Sequence, residues 1–201
     1  MKSDETPRLG EVKLEVPDLS AVTGVSLNGE TCQYLDIPYA EVPGRAGSGA
    51  RPWLEVPGTD EFKCLNLNIS VPRLPTTDAK TKLPVMAFLH GGKATIVVTV
   101  NYALGVLGFL AGTDLRDTNA KEHNEEGVGN YGVWGQVLAL RWVQQHIGAF
   151  GGDASQVTLF WQSADGVSTH AHLLRSEKLL SSAILQSGLL RTCGILSVDE
   201  F

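Results

Sequence analysis

Apolar residues along the chain fall into short continuous runs separated by polar and glycine-rich stretches. Three runs rich in β-branched and aromatic residues, 85–89, 95–102 and 157–160, predict buried strands. Residues 182–188, which follow the segment after the third run, predict the next parallel strand. Because helical segments lie between several of these runs, the pattern predicts an α/β fold with a mostly parallel sheet.

The amino-terminal part of the chain shows a different pattern. Residues 24–27 and 33–40 are predicted strands, and the Asn28-Gly29 pair between them is a typical hairpin turn. Residues 64–72 alternate apolar and polar side chains, which predicts a half-exposed strand. We therefore expect a small N-terminal β-hairpin ahead of the main sheet.

Two segments have the spacing of helices. Residues 164–175 predict a helix directly after a buried strand, and residues 133–149 predict a longer one. In the longer helix the apolar side chains expected on one side are Trp134, Val137, Leu138, Val143 and Ile147. Residues 113–126 are polar and acidic and predict an insertion on the surface.

The connection between two buried strands is unusually short. Only residues 91–94 separate the strand that leads to His90 from the strand that begins at Thr95. Parallel neighbours need a crossover of about a dozen residues, whereas four residues reach only about 13 Å. The sequence therefore predicts that 85–89 and 95–101 are not regular parallel neighbours, and that they pair antiparallel or one leaves the sheet.

Composition narrows the classes of function. The 201 residues are 43% hydrophobic and 19% charged, which is typical of one globular domain, and the net charge of −6 does not indicate a nucleic-acid partner. No apolar run approaches the ~18 residues of a membrane span. We expect a flexible N-terminus over residues 1–10 and one domain over 11–201. The polar residues 1–7 lack a secretory signal, which predicts a cytoplasmic protein.

The cysteines, histidines and glycines indicate no cofactor. Three widely spaced cysteines match neither a disulfide framework nor a metal site, and we expect three reduced thiols. The five histidines lack metal-ligand spacing. His170 and His172 lie on the predicted helix 164–175, and we expect them to face outward, away from the hydroxyl of Ser163, which directly precedes that helix. The G-x-G-x-x-G letters of 127–132 follow no strand, which argues against a dinucleotide site. We therefore expect neither a metal nor a cofactor.

Ser163 is the candidate nucleophile. It lies between the strand 157–160 and the helix 164–175, and a serine on such a tight strand-to-helix turn is typical of a nucleophile elbow. Its chemistry would be acyl transfer through an acyl-enzyme.

Residues 151–166, GGDASQVTLFWQSADG, resemble the G-G-D-x-x-x-V-T-L-F-G-E-S-A-G-G pattern of the type-B carboxylesterase family of α/β-hydrolases. The H-G-G of residues 90–92 and the V-V-T-V-N-Y of 97–102 also resemble that family. The resemblance covers 24–188 and implies an incomplete α/β-hydrolase fold. It implies Ser163 as nucleophile, an oxyanion hole near Gly91, Gly92 and Ala164, and a small-molecule carboxylic ester as substrate.

The chain departs from the family pattern next to the serine. Trp161 and Asp165 replace glycines, and Gln162 replaces the glutamate. We expect Trp161 to relax or shift the turn, and Asp165 to place a negative charge beside the developing oxyanion. In the family the triad acid and histidine follow the strand that ends here at Gly188, and no histidine lies beyond it.

These departures predict that the chain is inactive or severely impaired as an ester hydrolase. The alternative is a non-catalytic remnant or interaction module, or the product of a shortened gene model. The strand 183–186 should form an unpaired sheet edge, which predicts poor solubility or non-cooperative melting. The sequence defines neither the ester nor the oligomeric state.

Overall fold

The computed structural model describes residues 9–27, 29–40, 65–73, 82–87, 95–122 and 128–192, together with residues 194 and 197. These residues form one eight-stranded mixed sheet in the order β1-β2-β3-β4-β6-β5-β7-β8. The strands are β1 Leu9–Leu14, β2 Val22–Leu27, β3 Thr31–Pro38, β4 Asn66–Pro72, β5 Leu83–Ala87, β6 Ile96–Val100, β7 Gly152–Gln162 and β8 Ser182–Gln186.

Four α-helices accompany the sheet in the described residues: α1 Gly105–Phe109, α2 Thr113–Glu122, α3 Tyr131–His146 and α4 Ala164–Leu173. Short 3₁₀ turns follow at Ile147–Phe150 and Leu190–Thr192. The predicted surface insertion thus contains the helix α2, whose side chains from Thr113 to Thr118 are exposed or half-buried. Within the described ranges, no helix combines the length and the apolar character needed to cross a membrane.

The predicted hairpin is confirmed and is larger than expected. Strands β2 and β3 pair antiparallel with Leu27 opposite Thr31, and Gly29 in the turn has a φ of 72°. Asn28 lies outside the described residues. Strand β1 adds to β2, and it begins at Leu9, inside the segment expected to be flexible; residues 1–8 lie outside the described part. Because β4 pairs with both β3 and β6, the hairpin is continuous with the main sheet.

Strands β5 and β6 correct the prediction made from their short connection. They are parallel neighbours, with Val85 opposite Ile96 and Ala87 opposite Val98. The prediction was wrong because the strands do not coincide with the apolar runs: β5 begins before its run and spans Leu83–Ala87, and β6 begins at Ile96. The chain must return only about 7 Å along the strands and about 5 Å across them, which the eight intervening residues can span.

Of the five apolar side chains predicted on one side of the longer helix, Val137, Val143 and Ile147 are fully buried, whereas two are exposed. Trp134 and Leu138 are 52% and 41% exposed, whereas Gln136 is 1% exposed. At 100° per residue, Trp134 and Leu138 lie about 160° from Gln136 around the helix axis. The buried face is centred near Gln136 and includes small side chains, so the spacing of large apolar residues assigned Trp134 and Leu138 to the wrong side. The core residues on this helix are Val137, Ala139, Leu140, Trp142 and Val143.

The core consists of two clusters of unequal size. The larger joins the antiparallel strands to the carboxyl-terminal end of α3 and to Ile147–Phe150, with Leu67, Ile69 and Val98 fully buried. The smaller consists of Ala87, Val137, Leu140, Leu159 and Leu179. Cys32 is a buried free thiol of the larger cluster, and Cys64 and Cys193 lie outside the described residues.

Candidate active site

Ser163 occupies a sharp turn between β7 and α4. β7 ends at Gln162 and α4 begins at Ala164, which confirms the predicted strand–turn–helix arrangement. The backbone of Ser163 has φ 59° and ψ −125°, and its side chain is exposed. A non-glycine residue held at such angles costs on the order of 1–3 kcal/mol, so the surrounding structure must stabilise this conformation.

Backbone hydrogen bonds on both sides hold the turn. The Ser163 amide donates to the carbonyl oxygen of Gln186 on β8 at 2.8 Å, and the Ser163 carbonyl accepts from the amide of Val167 at 3.2 Å. The turn is therefore tied to the adjacent strand and to the first turn of its own helix. These contacts use main-chain atoms and do not depend on which side chains flank the serine.

Two glycines allow the backbones to approach at this point. A Cβ atom on Gly188 would lie 2.0 Å from the carbonyl oxygen of Ser163, which no real contact permits. A Cβ atom on Gly166 would lie 3.3 Å from the carbonyl oxygen of Gln186. Gly188 was not predicted as a site residue. It is the last residue of the predicted strand 182–188, and a glycine at that position was the available signal.

Trp161 does not relax the turn, and that prediction was wrong. Its side chain follows Val157 and Leu159 on the buried face of β7 and is only 6% exposed. Its ring lies 6.0 Å from the ring of Tyr102 at an interplanar angle of 35°. Because side chains alternate along a strand, the indole packs beneath the sheet end and leaves the backbone of Ser163 in its strained conformation.

Asp165 has a partner that the sequence did not indicate. The hydroxyl of Tyr102, just after β6, donates a hydrogen bond to Oδ1 of Asp165 in the first turn of α4. Burial, followed by this hydrogen bond and the nearby carboxylate charge, raises the pKa of Tyr102 well above its ordinary value. The phenol therefore stays protonated and keeps donating to the carboxylate. The pair connects the end of β6 to the helix that carries the elbow.

The described histidines each have contacts of their own. His172 is 4% exposed, and its Nε2 lies 2.9 Å from Oε1 of Gln136 on α3. Burial, with a smaller effect of the positive charge of Arg175, lowers the pKa of His172 to about 4, so the imidazole is neutral near pH 7. Nδ1 of His170 accepts from the amide of Leu190 at 3.1 Å, and His146 is buried beside the ring of Trp142.

The remaining predicted site residues are only partly described. Ala164 is the exposed first residue of α4 and adjoins Ser163. Gly91 and Gly92 lie outside the described residues, as do His90 and His123. In the ranges that the structure covers, no group of three histidine, cysteine or acidic side chains is placed to hold a metal ion.

Comparisons with known proteins identify the family. A model described as the carboxylesterase family matches residues 93–196, just over half of the chain. Esterase cest-33 of Caenorhabditis elegans is 40% identical over 68% of this chain and 32% of its own length. Juvenile hormone esterase of Tribolium castaneum is 33% identical over 90% of this chain and 31% of its own length.

Solved structures of esterases have the same fold. A PNB esterase superposes with a TM-score of 0.68 at 28% identity, over 88% of this chain and 44% of that one. Juvenile hormone esterase from Manduca sexta, with OTFP covalently attached, gives a TM-score of 0.64 at 25% identity, over 90% of this chain and 42% of that one. The chain spans about a third of the length of the Caenorhabditis elegans and Tribolium castaneum esterases. Its fold is that of the α/β-hydrolases, and it belongs to the carboxylesterase family.

Proposed function

We propose that the chain carries the nucleophile of a carboxylic ester hydrolase and that this nucleophile is Ser163. The hydroxyl oxygen would attack the ester carbonyl, form an acyl-enzyme and release the alcohol. The observation that carries the proposal is the strained backbone of Ser163 at the β7–α4 turn, which presents an exposed hydroxyl at the end of the sheet. The substrate class is a small-molecule carboxylic ester.

The oxyanion would form beside the amino-terminal end of α4. The amide of Ala164 is the proposed donor there, because it directly follows the nucleophile and opens the helix. Gly91 and Gly92 are the other proposed donors, on the strength of their H-G-G context. Asp165 lies on the same helical turn, but the hydrogen bond from Tyr102 binds one of its carboxylate oxygens.

We propose further that the 201-residue chain alone does not turn over esters at a measurable rate. The hydroxyl of Ser163 must lose its proton to a base, and the three described histidines are engaged in other contacts. Loss of the base from a serine triad lowers turnover on the order of a millionfold. A non-catalytic binding function is the second candidate, favoured by the Tyr102–Asp165 hydrogen bond at the site where the family pattern has glycine.

Fluorophosphonate labelling tests both parts of the proposal. The parent chain and Ser163→Ala are incubated with the probe at equal concentration, and the modified peptide is identified by mass spectrometry. We expect no measurable labelling of either protein. Stoichiometric labelling of Ser163 in the parent would show that the chain contains an activating base.

A second arm supplies the base from solution. High millimolar imidazole is added to both proteins, since the exposed hydroxyl of Ser163 is accessible to it. We expect slow labelling of the parent at Ser163 and none of Ser163→Ala. Equal labelling of the two proteins, or modification of another residue, would contradict the assignment of Ser163.

A further inference from the structure

The side chain of Tyr102 contacts residues on both sides of the candidate nucleophile. Its ring lies 6.0 Å from the ring of Trp161, and its hydroxyl donates a hydrogen bond to Oδ1 of Asp165. Trp161 and Asp165 are each two residues from Ser163 in the sequence. Because β5 lies between β6 and β7 in the sheet, Tyr102 reaches this turn from the end of a strand that does not pair with β7. One side chain from a distant part of the sequence therefore borders Ser163.

Hydrogen bonds fix the backbone that carries Tyr102. The amide of Asn101 donates to the carbonyl oxygen of Asn66 at 2.9 Å, and its side-chain nitrogen donates to Oδ1 of Asn66 at 2.7 Å. The carbonyl oxygen of Asn101 accepts from the hydroxyl of Tyr39 at 2.7 Å. The Cβ of Tyr102 also packs against α3, 3.7 Å from the place where a Cβ of Gly135 would be. The phenol is therefore a donor in a fixed position.

The carboxylate of Asp165 has a second place to which it would be drawn. Asp165 lies in the first turn of α4, directly after Ala164, whose amide is a proposed oxyanion donor. The first amides of a helix have no partner within the helix, and they attract negative charge. A carboxylate that is free to rotate would therefore approach the same amides that the oxyanion needs. The bond from Tyr102 instead holds it on the side of α4 that faces the end of β6.

We propose that Tyr102 is a positioning residue for Ser163. Its hydroxyl holds the Asp165 carboxylate away from the amides at the start of α4, so that these amides can bind the oxyanion. Tyr102 would act through Asp165 and not on the substrate itself. The role rests on the proposed function, because it has an effect only where Ser163 attacks a carbonyl or phosphonyl centre. The hydroxyl compensates for a carboxylate that the glycine of the family pattern would not introduce.

Imidazole-assisted labelling of Ser163 by the fluorophosphonate probe measures this role. Tyr102→Phe removes only the hydroxyl and keeps the ring beside Trp161. We expect it to react roughly tenfold more slowly than the parent, since a carboxylate about 5 Å from the oxyanion opposes its formation. Tyr34→Phe is the control, because it removes a hydroxyl from β3, which β4, β6 and β5 separate from β7. We expect the control to react at the parent rate.

A neutral residue at position 165 separates the positioning of a charge from a structural effect of the hydroxyl. Asp165→Asn has no charge to be misplaced, so Tyr102→Phe/Asp165→Asn should react about as fast as Asp165→Asn alone. A double variant as slow as Tyr102→Phe would overturn the proposal. Reaction of Tyr102→Phe at the parent rate, or equal slowing in Tyr34→Phe, would overturn it as well.

Asp165→Glu and Asp165→Gln provide a second comparison that keeps Tyr102 intact, and circular dichroism shows which variants fold. The two side chains have the same length and differ in charge, and the glutamate carboxylate extends one methylene beyond the aspartate position. We expect slower labelling of Ser163 in Asp165→Glu than in Asp165→Gln, and equal rates would overturn the proposal. Absence of labelling in the parent and in every variant would refute the assignment of Ser163 itself, and this role with it. Labelling of the parent with equal rates in all variants would refute the role of Tyr102 alone.

Discussion

The strained serine is held by main-chain contacts, and this explains why it persists beside three departures from the family pattern. Its amide and carbonyl are bonded to Gln186 and Val167. Trp161 packs into the buried face of β7, and Asp165 is bonded to Tyr102. None of these side chains competes for the bonds that fix the backbone of Ser163. The side chain that the turn does restrict is at Gly188, where a Cβ atom would meet the carbonyl oxygen of Ser163.

Gly188→Ala should therefore destabilise the chain. The new Cβ would lie 2.0 Å from the Ser163 carbonyl oxygen, which forces β8 and the turn apart. We expect a loss of about 1–3 kcal/mol in the free energy of unfolding, the usual cost of overpacking. Urea unfolding followed by circular dichroism measures it. Gly148→Ala is the control, because no atom lies within 4 Å of its Cβ position. Equal stability of the two variants would contradict the close approach.

At the scale of elements, the pattern of apolar and polar residues located most strands correctly. It was less successful in predicting which strands pair and which side of a helix is buried. The runs that became β2, β3, β4, β7 and β8 were located from sequence, as was the turn at Ser163. The β5–β6 pairing was missed because the apolar runs extend beyond the paired residues. Trp134 and Leu138 were assigned to the buried side of α3 because that side is centred near Gln136, whose partner His172 is 36 residues away. The Tyr102–Asp165 contact spans 63 residues and has no local signal.

The burial of His172, on α4, should make stability depend on pH. His172 has a pKa of about 4 in the folded chain and about 6.5 when unfolded. Above pH 6.5 the His172 side chain is neutral in both the folded and the unfolded chain, and the free energy of unfolding has its full value. As pH falls from 6.5 towards 4 the unfolded state binds the extra proton, so the free energy of unfolding decreases, by about 2–3 kcal/mol in total. Urea titrations at intervals between pH 7 and pH 4.5 measure the slope.

His172→Gln separates this effect from the other titrating groups, which both proteins share. The neutral side chain occupies the same buried position beside Gln136 and does not bind a proton in this range. We expect a shallower dependence of stability on pH for the variant between pH 6.5 and 4.5. Parallel curves for the two proteins would show that His172 titrates in the folded state as it does when unfolded.

At the scale of the whole molecule, stability should be distributed unequally across the sheet. The larger cluster packs the antiparallel strands against α3, with Leu67, Ile69 and Val98 fully buried. The smaller cluster supports the end of the sheet that carries Ser163. Among the described strands, β8 pairs with β7 alone. Regions with few buried apolar contacts open at lower free energy than the rest of a protein.

We therefore expect α4 and β8 to open before β3 and β4. Hydrogen exchange followed by mass spectrometry at increasing urea gives the opening free energy of peptides from each pair of elements. The amide hydrogens of α4 and β8 should exchange through a local opening. The free energy of that opening should be lower than that of global unfolding and should depend only weakly on urea. β3 and β4 should exchange only through global unfolding. A single opening free energy for all four elements would show that the sheet unfolds as one cooperative unit.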